Sequence, residues 1–397
     1  MTTSELEFNP FRPEFREDPY PFYHRLRAED PVHRTPMGFW VLTRYDDVVM
    51  VLRDPRFGRK GFEEILQARF GGEAGMATSM LFRDPPDHTR LRGLVNRAFT
   101  PRVIEELRPH IQQIVDHLLD QVEPKREMDL IADLAYPLPV TVICEMLGVP
   151  ARDRDLFRDW SVDIARSLDA ITMPTDPQIV ARGNAARHAI TDYFRDLIAE
   201  RRTALQDDLL SGLIQAEEEG DKLNEAELIA TCILILLAGH ETTVNLIGNG
   251  MLALLRHPGE LARLRADLRL IQGAIEELLR YDSPVQRTGR IPTTDIEIGG
   301  TRIPQGSLVS VQLGAANRDP AHFPDPDRLD IGRTENRHIA FGWGIHFCLG
   351  APLARLEGQI AIGTLARRMP ALALATDRPT WRDSSALRGL VCLPLSF

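Results

Sequence analysis

The sequence predicts a mainly α fold with small β-sheets, built as a single large domain. Three observations carry this. From about Pro85 to Arg280 apolar residues recur at intervals of three and four, as in Ile111, Ile114, Val115, Leu118 and Leu119, the period of an amphipathic helix. Strand-like alternation is confined to short pieces, and no regular strand–helix–strand repeat calls for a parallel sheet. The chain has 397 residues, yet no composition shift and no Ser/Gly-rich linker divides it.

In order, residues 8–36 are rich in proline and aromatics and read as an arm wrapped on the body. Phe39-Trp40-Val41-Leu42-Thr43 reads as a short strand and Asp46 to Leu52 as helix. Residues 58–79 show no clean period and read as loop with short helices. The helical body covers about 85–280, and Glu225 to Arg256 forms one long, largely apolar helix within it. Asp295 to Gly300 alternates before a Gly-Gly turn, and Ser307 to Gln312 alternates again. A small β region is thus expected at about 8–60 and 284–312, a cysteine-bearing loop with its following helix at 341–369, and a terminal strand or hairpin at about 385–397, including Leu390 to Leu395.

The net charge of −10 argues against a nucleic-acid binder. The four cysteines, Cys144, Cys232, Cys348 and Cys392, form no CxxC pair, which disfavours a zinc site or a disulfide framework. Residues 1–7 lack the basic and apolar regions of a signal peptide, and the apolar run from Leu228 to Gly239 is too short to span a bilayer. A cytoplasmic protein without a membrane anchor is expected.

The most specific feature is Phe341-Gly342-Trp343-Gly344-Ile345-His346-Phe347-Cys348-Leu349-Gly350, followed at once by a helix-like run. Glycines let the backbone turn tightly and approach a flat partner. A cysteine just before a helix N-terminus meets free amides that favour its thiolate. A lone cysteine is most often a small core residue, and glycine loops before helices also bind phosphate. A phosphate cradle has no use for Phe341, Trp343 and Phe347, so an axial haem ligand is the better reading.

Three further segments carry polar chemistry. Ala238-Gly239-His240-Glu241-Thr242-Thr243 interrupts the apolar helix. Glycine weakens a helix interior and threonine bonds back to the preceding turn, so a local widening or kink is expected, with a carboxylate and a hydroxyl bordering one cavity. Glu277 and Arg280 share a helix face, a pair worth little if exposed. His88 and Arg92, four apart in Asp84-Pro85-Pro86-Asp87-His88-Thr89-Arg90-Leu91-Arg92, align two donors that suit a carboxylate.

Taken together and in this order, these segments resemble a bacterial cytochrome P450, as do Ala316-Asn317-Arg318-Asp319-Pro320 and Leu387-Arg388-Gly389-Leu390. The resemblance covers nearly the whole chain and implies the P450 fold, haem b as cofactor and a soluble haem-thiolate monooxygenase. It implies Cys348 as the thiolate ligand of iron, with Phe341, Gly342, Gly344 and Gly350 shaping the loop. It gives Glu241 and Thr242 as the catalytic acid–alcohol pair for dioxygen activation, with Ala238 and Gly239 leaving room beside them. His88, Arg92, Arg290 and His346 would hold the haem propionates. Glu277 and Arg280 would brace the fold, linked to Asn317 and Arg318.

One atom of O2 would enter a hydrophobic small molecule such as a polyketide, terpenoid, steroid or fatty-acid derivative, by hydroxylation or epoxidation. The pocket would involve segments 61–82 and 165–182 and the residues Met80, Leu81, Phe82, Ile235, Gly239, Val285 and Val391. Arg59 and Lys60 could meet an anionic group, but an exposed basic loop is the favoured reading. Only 49 residues follow Cys348, so electrons are expected from a separate ferredoxin or flavodoxin with its reductase, docking near Arg102 and Arg355. A monomer without nucleic-acid or membrane partners is expected. The rivals are a peroxide-driven peroxygenase, a non-catalytic haem carrier or sensor, and a helical scaffold without cofactor.

Overall fold

The computed structural model describes residues 6–70, 78–171, 173, 175–216 and 223–397. The expectations placed on residues 1–5, 71–77, 172 and 174 lie outside it. Helices dominate and the sheets are small, as the periodicity requires.

Eight helices position the site: α1 (Asp87–Asn96), α2 (Arg108–Val122), α3 (Pro137–Met146), α4 (Leu156–Ser167), α5 (Pro177–Thr203), α6 (Glu225–Arg256), α7 (Ile271–Tyr281) and α8 (Ala351–Arg368). The core of the body is α6, packed against α3, α5, α7 and α8. It starts at a capping box. Asn224 Oδ1 accepts from the Glu227 amide at 2.9 Å and Glu227 Oε2 accepts from the Asn224 amide at 3.0 Å. Its side chains are buried almost all round, as expected of a helix apolar on every face. At 32 residues it is long and apolar enough to cross a membrane, because the apolar pattern resumes after the polar break. Its most apolar window is instead 72% buried inside the protein. The α assignment runs unbroken through Gly239, and Thr242 and Thr243 bond the carbonyls of Ala238 (3.0 Å) and Gly239 (3.5 Å), the back-bonding expected of threonines at this polar break.

The strands are β1 (Val32–Arg34), β2 (Trp40–Leu42), β3 (Phe57–Gly58), β4 (Glu127–Asp129), β5 (Arg287–Pro292), β6 (Ile296–Ile298), β7 (Thr301–Ile303), β8 (Val309–Gln312), β9 (Ala373–Leu374) and β10 (Pro394–Ser396). The main sheet has the order β1-β2-β8-β5-β3, with β2 and β8 parallel and the other pairs antiparallel. β6 and β7 form a hairpin across Gly299-Gly300, both at positive φ. Pairing of β3 with β5 sets Phe57 opposite Pro292 and Gly58 opposite Ile291. Residue 59 is thereby carried next to residue 290, a juxtaposition across more than 200 positions of sequence.

The arm contains short helices over Pro13–Glu17 and Tyr20–Glu29, and residues Phe62–Phe70 form a further helix. The C-terminus differs from the expected strand at Leu390 to Leu395. Pro394–Ser396 pairs with β4 and β9, and Leu390 makes an isolated antiparallel bridge to Trp381. Upstream, the backbone finds other partners: the Val391 amide donates to Thr380 O (2.8 Å) and the Leu393 amide to Asp129 Oδ1 (2.8 Å).

Glu277 and Arg280 on α7 are fully buried. Arg280 makes a two-pronged pair with Glu277 (2.7 and 2.8 Å) and donates to the carbonyls of Asn317, Pro326 and Arg328 at 2.7–3.1 Å. Glu277 also accepts from Arg333, Asn336 and the Asp330 amide. The buried pair is thus saturated with hydrogen bonds, the condition under which two charges leave water without a net penalty. It clamps the irregular chain after Asn317 that leads into the cysteine loop.

Candidate active site

A largely apolar cavity lies between α6, α1, β5 and the loop 341–350. On α6 its wall is Ile235, Ala238, Gly239, Thr242, Thr243 and Leu246, an i, i+3, i+4 stripe. Gly239 keeps this wall open, since a Cβ there would come 2.9 Å from Ile143 on α3. Met80, Leu81 and Val285 also line the cavity. Two other expected pocket residues do not. Val391 is 53% exposed, because its side chain faces outward while Leu390, Leu393 and Leu395 face the core. Phe82 packs on Phe62 (ring centroids 6.1 Å) behind the wall.

Cys348 faces the cavity at the threshold of α8. The loop before it is tight: the Cys348 amide donates to Phe341 O at 2.9 Å. Gly342 and Gly344 adopt φ of +71° and +74°, and a Cβ on Gly344 would fall 2.4 Å from Leu52 O. Gly350 is the residue preceding α8. Burial pushes the Cys348 thiol up, while the Gly350 and Ala351 amides and the Arg92 and Arg355 charges pull it down. The expected thiolate stabilisation by the helix terminus has the right sign, but burial outweighs it in the protein alone. Coordination to a metal takes the thiol proton outright.

At another part of the wall, Arg59, His88, Arg92, Arg290 and His346 come together. The His88 and His346 rings lie 4.4 Å apart and each leaves its Nε2 without a partner. Burial first, and the neighbouring arginines second, lower the pKa of both, so both rings are neutral. Burial likewise lowers Arg290, to about 10, and lowers Arg59 well below the usual arginine range. Arg92 is already engaged, donating to Ile345 O (3.1 Å) and Phe347 O (2.6 Å) of the cysteine loop. One thiol, apolar walls and a buried cluster of unspent N–H donors suit an iron porphyrin bearing two carboxylates.

Thr242 and Glu241 do not share the cavity. The Thr242 hydroxyl lines it, whereas Glu241 falls off the stripe, being about 100° further round the helix. Its carboxylate points to Arg382, with Oε2 2.5 Å from Nη1, and Oε1 is buried without a partner. Arg382 is 21% exposed at its side chain, so this pair links the buried acid to the surface.

Sequence reasoning missed Arg382 and Glu357, and of the two readings of Arg59 it favoured the exposed one. Arg59, read as an exposed loop residue, is 5% exposed, because Asp84 accepts from the Arg59 and Lys60 amides at 2.8–2.9 Å and folds the segment inward. Glu357 is a fully buried carboxylate on α8 beside Thr243. Its signal was present, a lone acid between the apolar Leu356 and Ile360. Arg355, expected to be free for docking, is held by Glu276 at 2.7 and 2.8 Å and lies over Phe341. Although burial opposes it, His338 and Arg355 hold the Glu276 carboxyl at about 2.

The family model for cytochrome P450 matches residues 32–380. The chain is 47% identical to cytochrome P450 107B1 of Saccharopolyspora erythraea, over all of this chain and 99% of that one. It is 46% identical to cytochrome P450 monooxygenase PikC of Streptomyces venezuelae, over 99% of this chain and 94% of that one. Among solved structures it is similar to the myxobacterial cytochrome P450 CYP267B1 in complex with myristic acid, with a TM-score of 0.91, 47% identity and 98% of both chains covered.

Proposed function

The chain belongs to the cytochrome P450 family and is a haem b monooxygenase, and on that premise we propose that it places one oxygen atom of O2 into a hydrophobic small molecule, with Cys348 as the iron ligand. The observation that carries this reading is the meeting of the Cys348 sulfur, the Thr242 hydroxyl and an apolar wall in one cavity. Bound there, the haem with its thiolate ligand supplies reductive activation of O2 and oxygen-atom transfer.

The chain's own groups supply binding, dryness and protons. His88, His346 and Arg290 hold the propionates through donors left unspent in the fold. Arg92 braces the loop that presents the sulfur. Ile235, Leu246 and Val285 exclude water and orient an apolar substrate. Thr242 Oγ1 donates to Ala238 O in the resting state and can instead offer its proton into the cavity. Glu241, reached from the surface through Arg382, recharges that hydroxyl by turning away from the guanidinium. This relay favours dioxygen chemistry over peroxide-driven turnover.

The substrate class is a polyketide-, terpenoid-, steroid- or fatty-acid-like molecule. The myristic acid complex of CYP267B1 supports it, as does the apolar wall. Electrons come from a ferredoxin or flavodoxin with its reductase, in the cytoplasm. Arg355 is held by Glu276, whereas Arg102, on a helix packed against α8, has a 91% exposed side chain whose pair with Glu106 (3.4 Å) is open to solvent, and it is the better placed charge for an acidic donor. Thr242→Ala tests the relay: haem binding and the thiolate spectrum persist, while reducing equivalents leave as hydrogen peroxide. Unchanged coupling of electrons to product would refute it.

A further inference from the structure

Arg59 carries a charge that the fold itself does not spend. The residue is 5% exposed. Among the described residues its Nε has no hydrogen-bond partner, and its only side-chain hydrogen bond is a long one, from Nη2 to Thr288 Oγ1 at 3.4 Å. The guanidinium lies near the rings of Phe62 (5.2 Å) and Phe82 (6.0 Å). Among the described residues no carboxylate stands within ion-pair distance of it, and the nearby Asp84 is occupied by the Arg59 and Lys60 amides. The one charge of Asp84 acts on both Arg59 and Arg290 without contacting either guanidinium, and two buried guanidiniums against one remote acid are a costly feature to keep.

Its position says what it is kept for. The β3–β5 pairing sets it beside Arg290, and both line the cavity with His88 and His346. Arg290 has a similar deficit: its one side-chain bond goes to the adjacent Gly289 carbonyl at 2.8 Å. Arg92 gives two of its five N–H donors to the cysteine loop. Two guanidiniums with unspent donors therefore face a cofactor that carries two carboxylates.

We propose that Arg59 is a haem-propionate ligand, pairing with Arg290 to neutralise the two carboxylates. This rests on the haem reading and extends it to a residue from the β3 side of the cavity. The short loop from Gly58 to Gly61, folded inward by Asp84, is then part of the cofactor site and not a surface feature.

The test compares haem release from the loaded wild type and from Arg59→Gln into excess apomyoglobin, with native haem and with haem dimethyl ester, whose propionates carry no charge. A lost charge-assisted bond accelerates release of native haem about ten- to a hundred-fold. With the dimethyl ester the two proteins release haem at equal rates, which a merely structural defect would not produce. Arg59→Lys restores slow release of native haem, and Arg59→Met, which also lacks the charge, replaces the glutamine variant in the comparison if that variant fails to fold. The reduction potential of the substrate-free variant falls, since a cation near the haem favours the reduced state. Equal release of native haem from all proteins would overturn the proposal. So would a difference that persists unchanged with the ester, or a variant altered only in its affinity for myristate, which would place the guanidinium against substrate. The spectrum of the reduced, CO-bound wild type reports thiolate ligation separately, so failure here leaves the family reading standing.

Discussion

Glu357→Gln should stabilise the protein, and more so as pH rises. Glu357 is fully buried on α8, and both its oxygens lack a partner of ordinary geometry. Burial pushes its carboxyl from 4.5 up to about 8, against the pull of the Thr243 hydroxyl. Between those values the unfolded chain has released the proton and the folded protein retains it. Unfolding therefore becomes more favourable as pH rises from 4.5 to 8 and levels off above 8. The full gap is worth about 5 kcal/mol at most, of which about 3.5 kcal/mol accrues between pH 5 and pH 8. With an unfolding entropy of about 2.1 cal/mol/K per residue, that share corresponds to roughly 4 °C in Tm for a chain of this length. Glutamine keeps the shape and a donor for Thr243 but cannot ionise. Thermal unfolding of the haem-loaded wild type and variant across pH 5–8 should show the variant's advantage widening by that amount. A constant difference, or a variant that loses ground at high pH, would show that the ionised carboxylate has a partner in the fold and would refute the reasoning.

Other substitutions probe the clamp and the proton route. Arg280→Met strands the buried Glu277 with Arg333 as its remaining cation, and should cost about 3–5 kcal/mol, read as a lowered denaturant midpoint. A change under 1 kcal/mol would mean the pair is dispensable. Arg382→Met cuts the link between Glu241 and the surface. Turnover should fall about ten-fold or more with a rising share of peroxide, while haem content and spectrum stay constant. Unchanged coupling would place proton entry elsewhere. Gly239→Val should narrow the cavity against Ile143 and weaken substrate-induced spectral shifts, and undiminished shifts would contradict the assigned wall.

Local patterns made the fold class legible. The long α6 could be read to its boundaries, because apolar character on both sides of a polar break has no other economical reading. The cysteine loop was legible because glycines and aromatics at fixed spacing have few alternative uses. What escaped depended on tertiary contacts. Glu241 and Thr242 are neighbours in sequence, yet the helical rotation sends one to the cavity and the other to Arg382. Arg59 looked like surface until Asp84 and the β3–β5 pairing turned it inward. Val391 belonged to an apparently continuous strand, but pairing there passes from the isolated bridge of Leu390 with Trp381 to the ladder that begins at Pro394, and the Val391 side chain is left outward.

The central claim is that the sulfur of Cys348 binds the haem iron. The absorption spectrum of the reduced, CO-bound protein tests it most directly. The wild type should show the red-shifted Soret band of a thiolate-ligated haem, and Cys348→Ser should lose that band while Cys392→Ser, outside the cavity, retains it. A wild-type spectrum typical of an imidazole-ligated haem, or a band that survives in Cys348→Ser, would contradict the account.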